Sequence, residues 1–191
     1  MAKGFSLIET IIGVLLVAML LLATYGIFIL SQQTKRRLDN RAEIVQNERA
    51  ILDRMARELR QANVIVPPPS GPTLPGSQIK FEDGHSSLEA PDNIQYINYF
   101  LGTGNDSTKL YREVGHYYFT SNNSKKVHYN DSGSGTLVYQ VDEGESGTGL
   151  IGEYITSLEF SGNNVITITV AFAKNGQTIN LSTNVTLRNL K

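Results

Sequence analysis

The chain has 191 residues, of which 40% are hydrophobic, and its 17 Lys and Arg against 18 Asp and Glu give a net charge of −1. This length accommodates one globular domain of ordinary size together with a long helix. Cysteine is absent, which excludes disulfides and cysteine-based metal or nucleophile sites. Three scattered histidines, His85, His116 and His128, lack the spacing of a zinc site.

The charge is divided along the chain. Residues 1–63 carry nine Lys and Arg against six Asp and Glu, a net of +3, and residues 64–191 carry eight against twelve, a net of −4. An acidic C-terminal part provides no electrostatic basis for binding a phosphate backbone. No direct binding to nucleic acid is expected.

The N-terminal junction places a carboxylate at the start of a hydrophobic run. Glu9 is followed by an almost unbroken apolar segment that ends at Leu30. Insertion scales assign an acidic residue in mid-membrane a cost of roughly 2.5 to 3.5 kcal/mol. If Met1–Gly4 were removed, the new α-amino group of Phe5 would lie about 6 Å along the helix from Glu9. That amine would neutralise the carboxylate, on the same chain or on a staggered neighbour.

The junction closely resembles the type III signal of type IV prepilins and pseudopilins in its order Gly4-Phe5-Ser6-Leu7-Ile8-Glu9 before an apolar helix. The resemblance implies that residues 1–4 are a leader peptide, that prepilin peptidase cuts between Gly4 and Phe5 and N-methylates Phe5, and that Glu9 and Thr10 act in assembly. The alternative is a plain signal-anchor with an incidental glutamate. A cleaved secretory signal is disfavoured because no A-x-A-like site follows the long apolar run.

The apolar run has the length of a membrane span. Ile11–Leu30 contains twenty residues, and its only polar or flexible members are Gly13, Thr24, Tyr25 and Gly26. Twenty helical residues extend about 30 Å, the thickness of the hydrocarbon core. We assign residues 5–30 as a transmembrane helix.

Two signals disagree on the orientation of this span. Several basic residues follow it, whereas only Lys3 and the amine precede it, so the positive-inside rule alone places the C-terminal side in the cytoplasm. The cleavage motif instead requires Gly4 to face a cytoplasmic peptidase, and the acidic, Asn/Ser/Gly-rich remainder has the composition of an exported domain. We expect a single-pass inner-membrane protein with an exported head, which then joins a cell-surface or periplasmic filament.

Beyond Leu30 the pattern becomes amphipathic. Apolar residues recur every seven positions at Leu38, Val45, Leu52 and Leu59. The opposite face carries opposite charges at i,i+4 spacing, in the pairs Arg49–Asp53, Asp53–Arg57 and Arg54–Glu58. No proline precedes Pro67, so one helix is predicted over residues 5–63, with residues 31–63 packing on a domain. A free coiled coil is the alternative.

Gly13 and Gly26 weaken this helix by about 1 kcal/mol each relative to alanine. In pilin-like proteins, the stretch corresponding to Gly26 can lose helical structure on assembly. The resemblance thus implies a melting segment, and a packing role for either glycine is the other interpretation.

A proline-rich linker over residues 64–78 separates the helix from a β-rich head over residues 79–191. Five of the six prolines lie in residues 64–76, which excludes a helix there. After the linker, short β-favouring runs alternate with turn residues. The predicted strands are Ile94–Leu101, Lys109–Val114, His116–Thr120, Lys126–Asn130, Thr136–Val141, Ile155–Phe160, Val165–Ala173 and Gln177–Leu187.

The last two strands form the clearest hairpin. They flank Lys174-Asn175-Gly176, and Asn-Gly favours a two-residue type I′ turn. Folding about this turn opposes two apolar residues in three pairs, Phe172 with Ile179, Val170 with Leu181 and Ile166 with Val185, and places Ile168 opposite Thr183. One face of the hairpin should be buried on the helix stripe that contains Val45, Leu52 and Leu59. The fold class is therefore α+β, a long N-terminal helix packed on an antiparallel sheet, which is also the pilin-like fold that the resemblance implies.

Two acidic stretches contain oxygen ligands of the kind that calcium prefers, namely residues 130–133 and 142–145. Neither has the spacing of a complete calcium loop, and solvated turns explain both. No Ser/His/Asp, Cys/His or phosphate-loop grouping stands out. We expect no cofactor and no enzymatic activity.

The predicted function is that of a minor pilin or pseudopilin that is incorporated into, or primes, a type IV pilus-like filament. Residues 50–62 and 182–189 resemble PilW-type minor pilins and the J-type minor pseudopilins of type II secretion. The absence of cysteine departs from type IVa major pilins. Expected partners are prepilin peptidase, other subunits through the N-terminal helix, the inner-membrane assembly platform and the lipid bilayer. The alternatives are a membrane-anchored adhesin or binding domain that does not polymerise and, more remotely, an anchored enzyme.

Overall fold

The structure is a computed structural model that describes residues 6–67, 76–84, 93–143, 147–162 and 164–188. The chain divides into two compact units, Met1–Ile44 and Val45–Lys191. Among the described residues, the first unit contains the N-terminal part of one helix, from Leu7 onward, and the second contains the remainder of that helix and the strands.

A single α-helix, α1, extends over Leu7–Gln61. The prediction of one uninterrupted helix is confirmed between these residues, including Gly26, and the helix ends two residues before the predicted boundary. Its length follows from a sequence without proline, because proline would remove a backbone donor and clash with the preceding turn.

Ten strands form two antiparallel sheets. The first sheet has the order β1-β2-β3-β4-β5, with β6 and β7 also paired to β4, and the second has the order β10-β9-β8. The strands are β1 (Ile65–Val66), β2 (Gln78–Glu82), β3 (Tyr96–Leu101), β4 (Leu110–Phe119), β5 (Asn122–Val127), β6 (Leu137–Val141), β7 (Gly149–Gly152), β8 (Ile155–Ser161), β9 (Val165–Lys174) and β10 (Gln177–Thr186). The protein is thus an α+β protein with a long N-terminal helix and an antiparallel head.

Several features of the first sheet differ from the sequence prediction. β2 and β7 were not predicted, and the strand predicted over Lys126–Asn130 is wrong in its bounds, because β5 covers Asn122–Val127. The two strands predicted over residues 109–114 and 116–120 are one strand, β4, which continues through Gly115. Residues near both ends of the predicted linker pair with strands: β1 pairs with β2, and Gly76 forms a bridge with Phe160 of β8. A two-residue strand beside Pro67 has no local signal, because its pairing partner lies fourteen positions away.

The β9–β10 hairpin has the predicted register. Phe172 opposes Ile179 and Ile166 opposes Val185, within ten consecutive pairs. Asn175 and Gly176 have φ values of 53° and 75°, as the type I′ turn requires at both central positions.

The C-terminal part of α1 contributes an apolar stripe to the core of the second unit. Its buried members are Leu52, Met55, Ala56 and Leu59, each at most 6% exposed, and Ala62, which follows the helix, is 1% exposed. The seven-residue pattern is wrong for its first member, because Leu38 is 60% exposed and lies in the first unit. Val45 is half-buried.

Candidate functional site

Ser6 lies at the N-cap position of α1, directly before its first helical residue, Leu7. The backbone N–H of Glu9 donates to the Ser6 carbonyl at 3.1 Å and lies 3.4 Å from the Ser6 hydroxyl. The Ser6 carbonyl also accepts the Thr10 N–H at 3.2 Å and faces the Thr10 hydroxyl at 3.4 Å. A serine at the N-cap satisfies an N–H group of the first turn that would otherwise have no partner in the helix. The sequence signature Ser-x-x-Glu would have revealed this role of Ser6.

Glu9 and Thr10 are both exposed on the helix surface. Within the described part of the chain, the Glu9 carboxylate has no hydrogen-bond or ion-pair partner. Its place in the first turn is favourable for a negative charge, because the helix dipole is positive there. Gly4 and Phe5, the predicted cleavage residues, lie outside the described residues.

From Leu7 to Leu30, the helix exposes every large apolar side chain, with exposed fractions between 38% and 80%. Its most apolar 18-residue window has a mean hydropathy of 2.6 and is not buried within the protein. Soluble monomers rarely expose contiguous apolar patches larger than a few hundred Å². This helix is long and apolar enough to span a membrane.

The polar side chain of Thr24 within this segment is satisfied by the helix itself. The Thr24 hydroxyl donates to the carbonyls of Leu20 and Leu21, at 3.0 and 2.9 Å. Around Gly13 and Gly26, an added Cβ would meet no atom within 4 Å. The surface beside both glycines is therefore open to a neighbouring helix or to lipid.

Glu58 connects α1 to the first sheet. Its carboxylate accepts hydrogen bonds from the Tyr99 hydroxyl at 2.7 Å and from the Arg112 guanidinium at 2.9 Å. Arg54, one turn earlier, binds the other carboxylate oxygen at 3.2 Å, as the i,i+4 pattern predicted. Burial raises the pKa of the Tyr99 hydroxyl above its ordinary value, so Tyr99 remains a donor. Sequence analysis missed the contacts to Tyr99 and Arg112, which are 41 and 54 positions from Glu58.

A second buried carboxylate, Glu82, is 3% exposed at the end of β2. It accepts hydrogen bonds from the Asn63 amide at 3.2 Å and the Tyr96 hydroxyl at 3.1 Å, and the His128 Nδ1 lies 2.8 Å away. The Tyr96 hydroxyl in turn accepts the Tyr129 N–H at 3.0 Å. These bonds connect the residues after α1, two strands and the segment after β5, so the cluster stabilises the head.

Glu48 differs from both of these carboxylates. It is 1% exposed, and neither of its oxygens has a hydrogen-bond partner among the residues that the structure describes. Burial raises its pKa from 4.5 to about 7, because a charge in a poorly solvated place is unfavourable. An unpaired buried carboxylate of this kind weakens the packing of α1 at neutral pH.

The acidic stretches weighed as calcium ligands make other contacts. Asp131 accepts the backbone N–H of His128 at 2.8 Å, and Asp142 accepts the Gln95 amide at 3.2 Å and faces His116 Nδ1 at 2.7 Å. Among the described residues, no group of three or more metal-ligand side chains is found. Residues 144–146 lie outside the described part of the chain.

Compared with family models, with curated proteins and with solved structures, the chain matches none of them. The residues and contacts above are therefore the basis on which a function can be proposed.

Proposed function

We propose that the chain is a minor pilin or pseudopilin, a membrane-held subunit that is processed before Phe5 and incorporated into, or primes, a type IV pilus-like filament. The observation that supports this proposal is the exposed apolar part of α1. This part begins beside Glu9, and the same helix continues into the folded head. Residues 5–30 span the inner membrane before assembly, and the head is exported. A pilus subunit and a type II secretion pseudopilin share this physics, and both are covered by the proposal.

The apolar segment has two environments in this function. In the bilayer, lipid covers the exposed side chains from Leu7 to Leu30. In a filament, the same side chains pack against neighbouring helices. Association of helices that leave lipid depends on close packing and polar contacts, so the open surfaces at Gly13 and Gly26 are places where helices can approach.

Glu9 sets the register of assembly. Its carboxylate is exposed and has no partner among the described residues, so a neighbouring α-amino group can reach it. A register in which the carboxylate misses that amine leaves an unpaired charge in an apolar environment, which is penalised. The amine is that of Phe5 after cleavage.

The first test is the N-terminal mass of the protein recovered from membranes. The expected mature protein begins at methylated Phe5, and Gly4→Leu should retain the full precursor mass because the small residue before the cut is lost. A wild-type mass that includes Met1–Gly4 contradicts the proposal.

The second test separates processing from assembly. Glu9→Ala should be cleaved normally but incorporated poorly into filaments sheared from cells. Asp39→Ala is the matched control, since Asp39 is an exposed acidic residue of the same helix beyond the apolar segment. Normal incorporation of Glu9→Ala would refute the pairing of this carboxylate with an amine.

A membrane-anchored binding domain that does not polymerise is the second candidate. The observation that favours it is the compact unit Val45–Lys191, which has its own buried core. Because the chain lacks cysteine, Leu15→Cys introduces a unique thiol on the exposed apolar surface. Oxidative cross-linking in membranes and filaments through this thiol supports a polymer, and exclusively monomeric protein supports the anchored domain.

A further inference from the structure

The two edges of the three-stranded sheet differ in how they are covered. The outer edge of β8 is occupied: Phe160 exchanges hydrogen bonds with Gly76 at 3.0 and 2.8 Å, and the Ile155 N–H donates to the Thr108 carbonyl at 2.9 Å. At the other edge, β10 pairs with β9 and with no other described strand. An uncovered edge presents a row of free backbone donors and acceptors.

The hairpin geometry identifies which residues carry these free groups. In a two-residue type I′ hairpin, the residues that flank the turn, Lys174 and Gln177, exchange both of their hydrogen bonds. Hydrogen-bonded and non-hydrogen-bonded pairs then alternate along the register. The N–H and C=O groups that face the open edge therefore belong to the even-numbered residues of β10: Thr178, Asn180, Ser182, Asn184 and Thr186.

This edge lacks the usual protection against pairing with another chain. β10 contains no charged residue, proline or glycine, and its ten pairs with β9 show no register shift. Proteins commonly protect edges with lysine, proline or a bulge. The edge strand β5 of the first sheet carries Lys125 and Lys126 and shows a register shift in its pairing with β4.

The inner face of β10 is incompletely covered. Ile179 and Leu181 are only half-buried, whereas their partners on β9, Phe172 and Val170, are at most 2% exposed. Side chains of a strand added at the open edge would lie beside Ile179 and Leu181 on the same face. Such a strand would complete their burial.

Two arginines, Arg60 and Arg188, meet through their backbones at the C-terminal end of β10. The Arg188 N–H donates to the Arg60 carbonyl at 3.3 Å, and both residues are exposed. An antiparallel strand on β10 would begin at this end, so acidic residues at its N-terminus would complement the two guanidinium groups. A second copy of β10 offers no carboxylate there, and antiparallel self-pairing about Leu181 would instead bring Lys174 towards Arg188.

We propose that the open edge of β10 binds an extended strand of a different polypeptide. That strand is uncharged with apolar residues at alternate positions over the length of β10, and acidic at its N-terminal end beside Arg60 and Arg188. Addition of a strand to an exposed sheet edge is an established mode of peptide recognition. The inference does not depend on the pilin-like function.

The probe is a labelled peptide that carries the sequence of Val165–Phe172 behind two added glutamates, titrated by anisotropy against the full-length protein in detergent micelles. Binding is expected. Ser182→Pro removes one N–H from the open edge without removing a bond to β9, so it should weaken binding about tenfold or more. Ser182→Ala keeps the N–H and should bind as the wild type does.

Unchanged binding to a folded Ser182→Pro protein would overturn the proposal. If that variant does not fold, a peptide methylated on alternate backbone nitrogens replaces it. Undiminished binding of the methylated peptide to the wild-type protein would also overturn the proposal. Failure of the glutamate peptide to bind the wild type also contradicts the proposal. This holds if the wild-type protein is monomeric, and it holds equally if the protein forms a dimer that Ser182→Pro abolishes. The dimer would identify a second copy as the occupant.

A separate pair of variants tests whether the peptide's acidic end pairs with Arg60 and Arg188. The double variant Arg60→Glu with Arg188→Glu should lose affinity for the glutamate peptide and gain affinity for the same peptide with two lysines in their place. Equal binding of both peptides to the wild type contradicts the requirement for an acidic N-terminal end.

Discussion

The two parts of α1 differ in how their apolar residues are distributed around the helix axis. From Leu7 to Leu30 the apolar side chains surround the helix, and all the large ones are exposed. From Val45 to Gln61 they form one stripe that is buried in the second unit, and charged residues occupy the opposite face. A helix that is apolar all round requires lipid or other helices, whereas a striped helix is covered by its own domain. One continuous helix therefore includes a segment that needs an external partner and a segment that does not.

The largest expected effect on stability comes from replacing a leucine by alanine in each of these two parts. Leu59 is fully buried, so Leu59→Ala should lower the free energy of unfolding of the head by about 2–5 kcal/mol. Leu16, which is 56% exposed in the apolar segment, is the matched control, and Leu16→Ala should leave head stability unchanged. The measurement is urea unfolding of the full chain in detergent micelles. Equal effects of the two substitutions would show that the division into two parts is wrong.

A smaller effect tests the polar residue within the buried stripe. The folded protein holds the pKa of Glu48 at about 7, above its ordinary value of 4.5, so the native state binds the proton more tightly than the unfolded state. Its destabilisation is absent below pH 4.5, grows as the pH rises towards 7 and is complete above it. At pH 8, Glu48→Gln should be more stable than the wild type by about 3 kcal/mol. The advantage should decrease on acidification to pH 4, and a pH-independent difference would exclude the raised pKa.

Loss of a contact between α1 and the first sheet should lower the free energy of unfolding by about 1–3 kcal/mol. Arg112→Met leaves Glu58 without one charge-assisted hydrogen bond in a largely buried place, and such losses cost about 1–3 kcal/mol. The control is Lys109→Met, which removes the exposed ion pair between Lys109 and Asp106 and should cause no measurable change. If both variants unfold at the same urea concentration, Arg112 does not stabilise the contact between α1 and the first sheet.

The smallest effect concerns the first turn of α1. Ser6→Ala removes the capping hydroxyl and should weaken the first helical turn by about 0.5–1 kcal/mol. Amide exchange of Glu9 and Thr10 in micelles should accelerate, whereas the amides around Leu59 should not change. Unaltered exchange at Glu9 would mean that the Ser6 hydroxyl does not cap the helix.

The elements that the sequence predicts well are those with local signals. The helix follows from a long proline-free segment, and the β9–β10 register follows from Asn175-Gly176 and strict alternation. The burial of Glu48 was not predicted, although the spacing of Val45, Leu52 and Leu59 places residue 48 on the same face of the helix.

The elements that the sequence does not predict depend on distant partners. β1 exists because of its pairing with β2, and Glu58 and Glu82 find their partners on strands that lie far along the chain. Nothing in a local pattern identifies such contacts. At the proposed site, the motif from Gly4 to Glu9 came from the sequence, whereas the capping by Ser6 became evident from the structure.

The chain has no tryptophan, and eight of its nine tyrosines lie in residues 64–191. Burial raises the pKa of Tyr96, Tyr99 and Tyr139 above the ordinary value. Their phenolate absorbance should therefore appear abruptly when alkali opens the head, rather than gradually at the ordinary pKa. Tyrosine absorbance thus reports on the β-rich part of the protein, because the hydrophobic segment contains only one tyrosine, Tyr25.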